Sequence, residues 1–187
     1  MKKALTLIEL TFFMLIISFI LFVFLLFIIN ISNANIYLVF GLGSYSDVNL
    51  ALSQLKKELK SAEDSNVGHY PLELVSSTSI IFYSDVNNDG LVERVRYFLD
   101  GEELKRGIVF PNGNPLNYNL NQEKIQVLVK NLIPNQKIFS FYDENLNETL
   151  DIAKIKVIKV NLKVKIDTKG NTWEDYIFIS PRNLITK

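Results

Sequence analysis

The chain has 187 residues, room for one ordinary domain plus an appended segment and too little for two full domains. Its composition is 48% hydrophobic and 12% aromatic, which excludes compositional disorder, and twenty basic against twenty acidic residues leave no electrostatic footprint for a nucleic-acid partner. With no Cys and a single His, His69, the sequence excludes disulfides, Cys-ligated zinc and a thiol nucleophile, and it disfavours His-based metal sites.

Residues 5–29 are almost all Leu, Ile, Phe, Val or Met, interrupted by Thr6, Glu9, Thr11 and Ser18. As a helix rising about 1.5 Å per residue, this run reaches ~37 Å, enough for the ~30 Å hydrocarbon layer of a bilayer. Lys2 and Lys3 precede it and no charge follows until Asp47. The positive-inside bias therefore predicts a single membrane pass, with the N-terminus cytoplasmic and the bulk of the chain exported. A cleaved secretory signal ending at Ser32-Asn33-Ala34 fits poorly, because the run far exceeds the ~7 to 15 residues of a signal's apolar core. A plain signal anchor explains the length and the lysines but not Glu9, since a carboxylate near a helix centre costs about 2.5 to 3.5 kcal/mol to insert, less near the end.

Met1-Lys2-Lys3-Ala4-Leu5-Thr6-Leu7-Ile8-Glu9-Leu10 resembles the N-terminal signal of type IV pilins and pseudopilins. The resemblance implies a basic leader, residues 1–4, cut by a prepilin peptidase between Ala4 and Leu5. It also implies N-methylation of Leu5, and it makes Glu9 the fifth mature residue, where the family keeps its one charge inside the apolar helix. Ala4 and Leu5 depart from the Gly usual before the cut and the Phe frequent after it. Once cut, the α-amine of Leu5 lies about four residues from Glu9 and can face Glu9 of a neighbouring subunit. Pairing the two charges offsets the cost of each in lipid only in the correct axial register. The simpler reading of Glu9 is a side chain at the interface, snorkelling to headgroups.

Beyond the membrane segment at 5–30, a helical continuation is expected over 31–63, giving one long, imperfect helix. The stretch 30–35 and the glycines Gly41 and Gly43 are expected sites of bending or local unwinding. Over 47–59, Leu50, Leu52, Leu55 and Leu59 alternate with polar residues such as Ser53, Lys56, Lys57 and Glu58. That spacing predicts a helix half buried against a globular head, with Asp47 as a possible cap. The head itself, 64–187, changes to strand period. Residues 79–83 and 91–99 flank the turn-forming stretch 85–90 and predict a hairpin, and the alternation of Val95, Tyr97 and Leu99 with Arg94, Arg96 and Phe98 predicts a half-buried strand. A third strand is expected at 104–110. Residues 125–132 suit either a short helix or a strand, and 139–142 reads as extended. Val160, Leu162, Val164 and Ile166 share one parity and Lys163 and Lys165 the other, predicting a strand pair or one long bulged strand over 154–166, with a bulge or irregularity near Val157-Ile158. Gly170-Asn171 turns the chain into a last short strand at 176–180.

Five head segments extend the resemblance in order along the chain: Phe82-Tyr83-Ser84-Asp85, Glu93-Arg94-Val95-Arg96-Tyr97, Leu104-Lys105-Arg106, Phe139-Ser140-Phe141-Tyr142-Asp143 and Ser180-Pro181-Arg182-Asn183-Leu184. They look like the J-type minor pseudopilins of type II secretion and the W-class minor pilins of type IV pili. The resemblance implies an α+β fold, a long N-terminal transmembrane α-helix packed onto a mainly antiparallel β-sheet head. It further implies a non-catalytic structural subunit that helps initiate or cap a pilus or a secretion pseudopilus. Implied partners are the prepilin peptidase, other minor and major pilins or pseudopilins, the inner-membrane assembly platform and membrane lipid, with no direct nucleic-acid contact. The rival expectation is a signal-anchored extracytoplasmic ligand-binding or enzymatic domain that does not polymerise.

Asp85-x-Asn87-x-Asp89-Gly90 repeats the first half of a calcium loop, where alternate oxygen side chains converge on one hard cation and Gly permits the sharp turn. The second half departs, since Arg96 stands where an EF-hand supplies its bidentate acid, although Glu93 is available. Asp, Asn and Gly are equally what a tight hairpin turn demands. No cofactor is expected beyond the calcium that this loop leaves open, and Asp143-x-Asn145-x-Asn147 is a poorer repeat that lacks the Gly. His69 has no neighbouring residue to orient it as a general base, and no serine sits in a nucleophile elbow. Lysines 154, 156, 159, 163 and 165 read as a solvated, aggregation-resistant strand face, and Trp173 as a packing residue.

Overall fold

The computed structural model describes residues 7–166 and 170–185, with the side chains of 30–42 and 185 outside that description. Ala4 and Leu5, the expected cleavage pair, lie outside the described residues. The first element is helix α1 (Leu7–Lys60). It is helical throughout, so the unwinding expected at 30–35 and at the two glycines does not occur, and Asp47 lies inside the helix instead of capping it. The chain divides into two compact units, Met1–Gly41 and Leu42–Lys187.

In the first unit, Leu7–Ile29 has a mean hydropathy of 3.3 and no buried side chain. Phe12, Phe19, Ile20 and Leu21 are all exposed, so apolar side chains surround the helix instead of forming one stripe. A helix apolar on every side is suited to hydrocarbon, and this one is long and apolar enough to span a membrane. The Thr11 hydroxyl donates to the Ile8 carbonyl at 2.9 Å, which satisfies that polar group within the helix.

In the second unit, the α1 residues Val48, Ala51, Leu52, Leu55 and Leu59 are buried at helical spacing. Leu50, expected on the buried face, is exposed instead, because it falls on the opposite side of the turn from Leu52 and Leu55. The strands follow as β1 (Leu72–Val75), β2 (Ser79–Ser84), β3 (Glu93–Asp100), β4 (Glu103–Val109), β5 (Pro111–Asn112), β6 (Asn117–Tyr118) and β7 (Lys124–Val129). After them come β8 (Phe139–Tyr142), β9 (Val157–Lys165), β10 (Thr172–Ile179) and a short helix α2 (Arg182–Ile185). A five-stranded sheet in the order β1-β2-β3-β4-β7, a three-stranded sheet β10-β9-β8 and the small β5-β6 hairpin result, with antiparallel pairing throughout. The class is α+β.

The buried α1 residues share one core with Ile80, Phe82, Val95, Tyr97 and Leu104 of the larger sheet and Phe139, Ile158, Val160, Leu162 and Val164 of the smaller. The segment after β7 ties the two sheets: Leu132 bridges to Val164, the Ile133 amide donates to the Lys163 carbonyl, and the Lys165 amide donates to the Asn131 carbonyl. One open reading is resolved and two expectations are corrected. The ambiguous 125–132 stretch is strand over Lys124–Val129, because it finds β4 as an antiparallel partner across the chain. The irregularity near Val157-Ile158 is the start of β9, preceded by a 3-10 turn at Ile152–Lys154 that buries Ile155 on the other parity. The last strand begins at Thr172, four residues before the expected position, and pairs with β9 along its whole length.

Candidate metal centre

Strand β2 ends at Ser84 directly opposite Glu93, the first residue of β3, so residues 85–92 form the loop that joins them. Asn88 (φ 60°) and Gly90 (φ 87°) take left-handed conformations there, and Gly90 makes the sharp reversal without strain from a Cβ. The Asp85 carboxylate accepts from the Asp89 amide at 3.2 Å and from the Gly90 amide at 3.0 Å. Asn87 Oδ1 accepts from the Asp89 amide at 2.9 Å, and Asp89 Oδ1 accepts from the Leu91 amide at 2.8 Å. The Asn87 side-chain amide donates to Asp89 Oδ2 at 2.8 Å. These bonds draw three acidic or amide side chains inward from alternate positions.

Glu93 completes the group from below. It is fully buried; its Oε2 accepts from the Val86 amide at 2.9 Å, while its Oε1 has no hydrogen-bond partner. Asp85, Asp89 and Glu93 each offer a carboxylate oxygen, and the three oxygens lie within 4.8 Å of one another. Among the described residues, no ion pair involves any of the three. Burial, and then the charges of Asp89 and Asp85, raise the Glu93 carboxyl above its ordinary range. The sequence already offered Glu93 as an acid available to the loop, three residues past Gly90. The Ser84 to Glu93 register is what turns it toward the loop. Arg96, at the position an EF-hand gives to its bidentate acid, instead pairs with Glu123 at 2.5 Å.

The other singled-out residues fall elsewhere. Asp143 Oδ1 accepts from the Asn145 and Asn147 amides, both at 2.9 Å, and so closes an ordinary Asx turn. Among the described residues, it joins no group of acids at metal-ligand spacing. His69 is exposed, with its ring stacked on Tyr83 at 5.6 Å between centroids. It borders an open cleft of about 460 Å³ that Glu73, Tyr83, Arg94 and Tyr118 also line. Arg94 donates Nε and Nη2 to Glu73 at 2.7 and 2.8 Å, and the Tyr83 hydroxyl donates to Glu73 at 2.6 Å. Burial opposes the Glu73 charge, but the hydrogen bonds from Arg94 and Tyr83 outweigh it and hold the carboxyl below its ordinary range. The charged groups of this cleft are therefore spent on one another.

Trp173 packs edge-on against Tyr45 of α1 at 4.4 Å. The strand lysines are individually engaged: Lys165 with Glu102 at 2.5 Å, Lys163 with Glu174 at 3.9 Å, and Lys159 over the Tyr176 ring at 4.8 Å. Glu9 stands in the first turn of α1 and is exposed. Its expected partner, the α-amine of a cut chain at Leu5, lies outside the described residues. No family model matches the chain, and no curated protein matches it.

Proposed function

We propose that the protein is a minor pilin or pseudopilin, a non-catalytic subunit that is inserted in the cytoplasmic membrane and helps initiate or cap a type IV pilus or a type II secretion pseudopilus. The observation that carries this reading is Glu9, an acid in the first turn of a helix whose apolar stretch runs to Ile29, five residues beyond Ala4 in a basic leader. A membrane anchor alone has no use for a carboxylate there, whereas a subunit that must choose its axial register against neighbours does. An apolar helix followed in the chain by an antiparallel head supports the same reading, because a filament subunit needs one segment for assembly in the membrane and another for lateral contacts. On this reading the N-terminus faces the cytoplasm before cleavage and the head lies periplasmic or extracellular. The partners are a prepilin peptidase, other pilins or pseudopilins and the inner-membrane assembly platform.

The test is the intact mass of the protein expressed with and without a prepilin peptidase, followed by the Glu9→Leu variant in a filament-forming host. The expected outcome is peptidase-dependent loss of Met1 to Ala4, with or without a methyl on Leu5, and a variant that stays in the membrane but fails to enter filaments. An intact N-terminus with the peptidase present would instead favour a signal-anchored domain. Filament entry undiminished by Glu9→Leu would remove the register account.

A further inference from the structure

The geometry points to a calcium site in the head, formed by the carboxylates of Asp85, Asp89 and Glu93 with the Asn87 side chain at its edge. This inference concerns the β2–β3 loop alone and does not rest on the filament reading. Two independent observations carry it. The first is convergence: three carboxylate oxygens from Asp85, Asp89 and Glu93 lie within 4.8 Å of one another, a spread that one ion at ~2.3 to 2.6 Å from each can bridge. The second is the unspent oxygen of Glu93. It belongs to a fully buried side chain, it has no hydrogen-bond partner, and no Lys, Arg or His pairs with its carboxylate among the described residues. A buried carboxylate left in that state beside two further acids is costly, and a bound divalent cation lowers the cost by offsetting two of the three negative charges and giving the unpaired oxygen a partner.

The ligand chemistry selects the ion class. All the donors are oxygens, and the sequence contains no Cys and only one His, which stacks on Tyr83 and is not among these acids. Zinc and copper, which favour nitrogen and sulfur, are thereby disfavoured. Magnesium demands near-ideal octahedral geometry and gives up its water reluctantly, whereas calcium accepts irregular carboxylate sets of this kind. An acid at the ninth loop position in place of the twelfth also predicts an affinity near the weak end, about 10⁻⁴ to 10⁻³ M, the range of extracellular modules. Bound there, calcium would fasten the β2–β3 loop to the first residue of β3, coupling the loop to the sheet.

The experiment is calorimetric titration of calcium, up to about 10 mM, into chelator-treated full-length protein in detergent micelles, with thermal melting in parallel. Magnesium at the same concentration is the comparison ion. The wild-type chain is expected to bind one calcium and to melt at a higher temperature with calcium than with magnesium. Glu93→Gln, which keeps the shape and removes the charge, and Asp89→Asn, on the exposed side of the loop, should each weaken binding at least about tenfold. Asp143→Asn, in the other Asx turn, should leave it unchanged. If the Gln variant does not fold, the exposed Asp89→Asn variant carries the same test. No calcium-specific heat or melting shift in the wild type would overturn the site, as would binding unaltered in both loop variants or lost equally in Asp143→Asn.

Discussion

The Glu58 carboxylate receives Tyr97 at 2.8 Å, Arg106 at 2.6 and 3.1 Å, and Gln54 at 3.1 Å, and with Arg106 it is buried between helix and sheet. In the sequence Glu58 sits among lysines and reads as part of a solvated face, because local spacing does not reveal that β3 and β4 lay an Arg and a Tyr across from it. A buried pair adds little net stability over an apolar replacement, but breaking it strands a charge. Glu58→Ala is expected to destabilise the head by about 3 to 5 kcal/mol, while Glu58→Leu combined with Arg106→Met recovers most of that loss. Trp173, the single tryptophan, packs against Tyr45 of α1, so its fluorescence during urea unfolding of the full-length protein reads both values. Equal loss in the single and double variants would contradict the stranded-charge account. Gly107 is a second residue whose role only the fold exposes. The Glu123 carboxylate lies where a Gly107 Cβ would stand, and from there it reaches Arg96.

At the scale of elements, the head-side portion of α1 shows how far periodicity goes. Leu52, Leu55 and Leu59 were legible as an apolar face and are buried, but Leu50 was counted with them and is 67% exposed. Deleting side chains separates the two kinds of position. Leu55→Ala, fully buried, is expected to cost about 2 to 5 kcal/mol, and Leu50→Ala to change stability by no more than about 0.5 kcal/mol, both read from denaturant midpoints. A comparable loss at Leu50 would mean that its face is covered by something besides this chain. The strands with sequence-local partners were legible: β2 and β3 flank a turn, and β9 alternates cleanly. Strand β7 was ambiguous because its partner β4 lies across the β5-β6 hairpin and a 3-10 turn at Leu120–Gln122, and β1 went unread because its four residues carry too little pattern.

At the scale of the whole molecule, Leu7–Ile29 is long and apolar enough to anchor the chain in a membrane. Lys in place of Phe19 and Phe22, both inside Leu7–Ile29, adds about 2.5 to 3.5 kcal/mol of insertion cost at each position. That variant is expected to leave the membrane fraction on carbonate extraction, whereas the wild type stays, and full retention would deny the segment its spanning role. The sequence by itself determined this segment, the change to strand period after it, and the oxygen-rich loop at Asp85, Asn87 and Asp89. Each is a local property, written in neighbouring residues and their spacing. Only the tertiary structure decided that Glu93 joins that loop while Arg96 turns away to Glu123, and that Glu58 lies buried beneath the sheet. The reason is physical: pairing register and burial are set by partners far along the chain, and they fix which side of a strand or helix faces a charge.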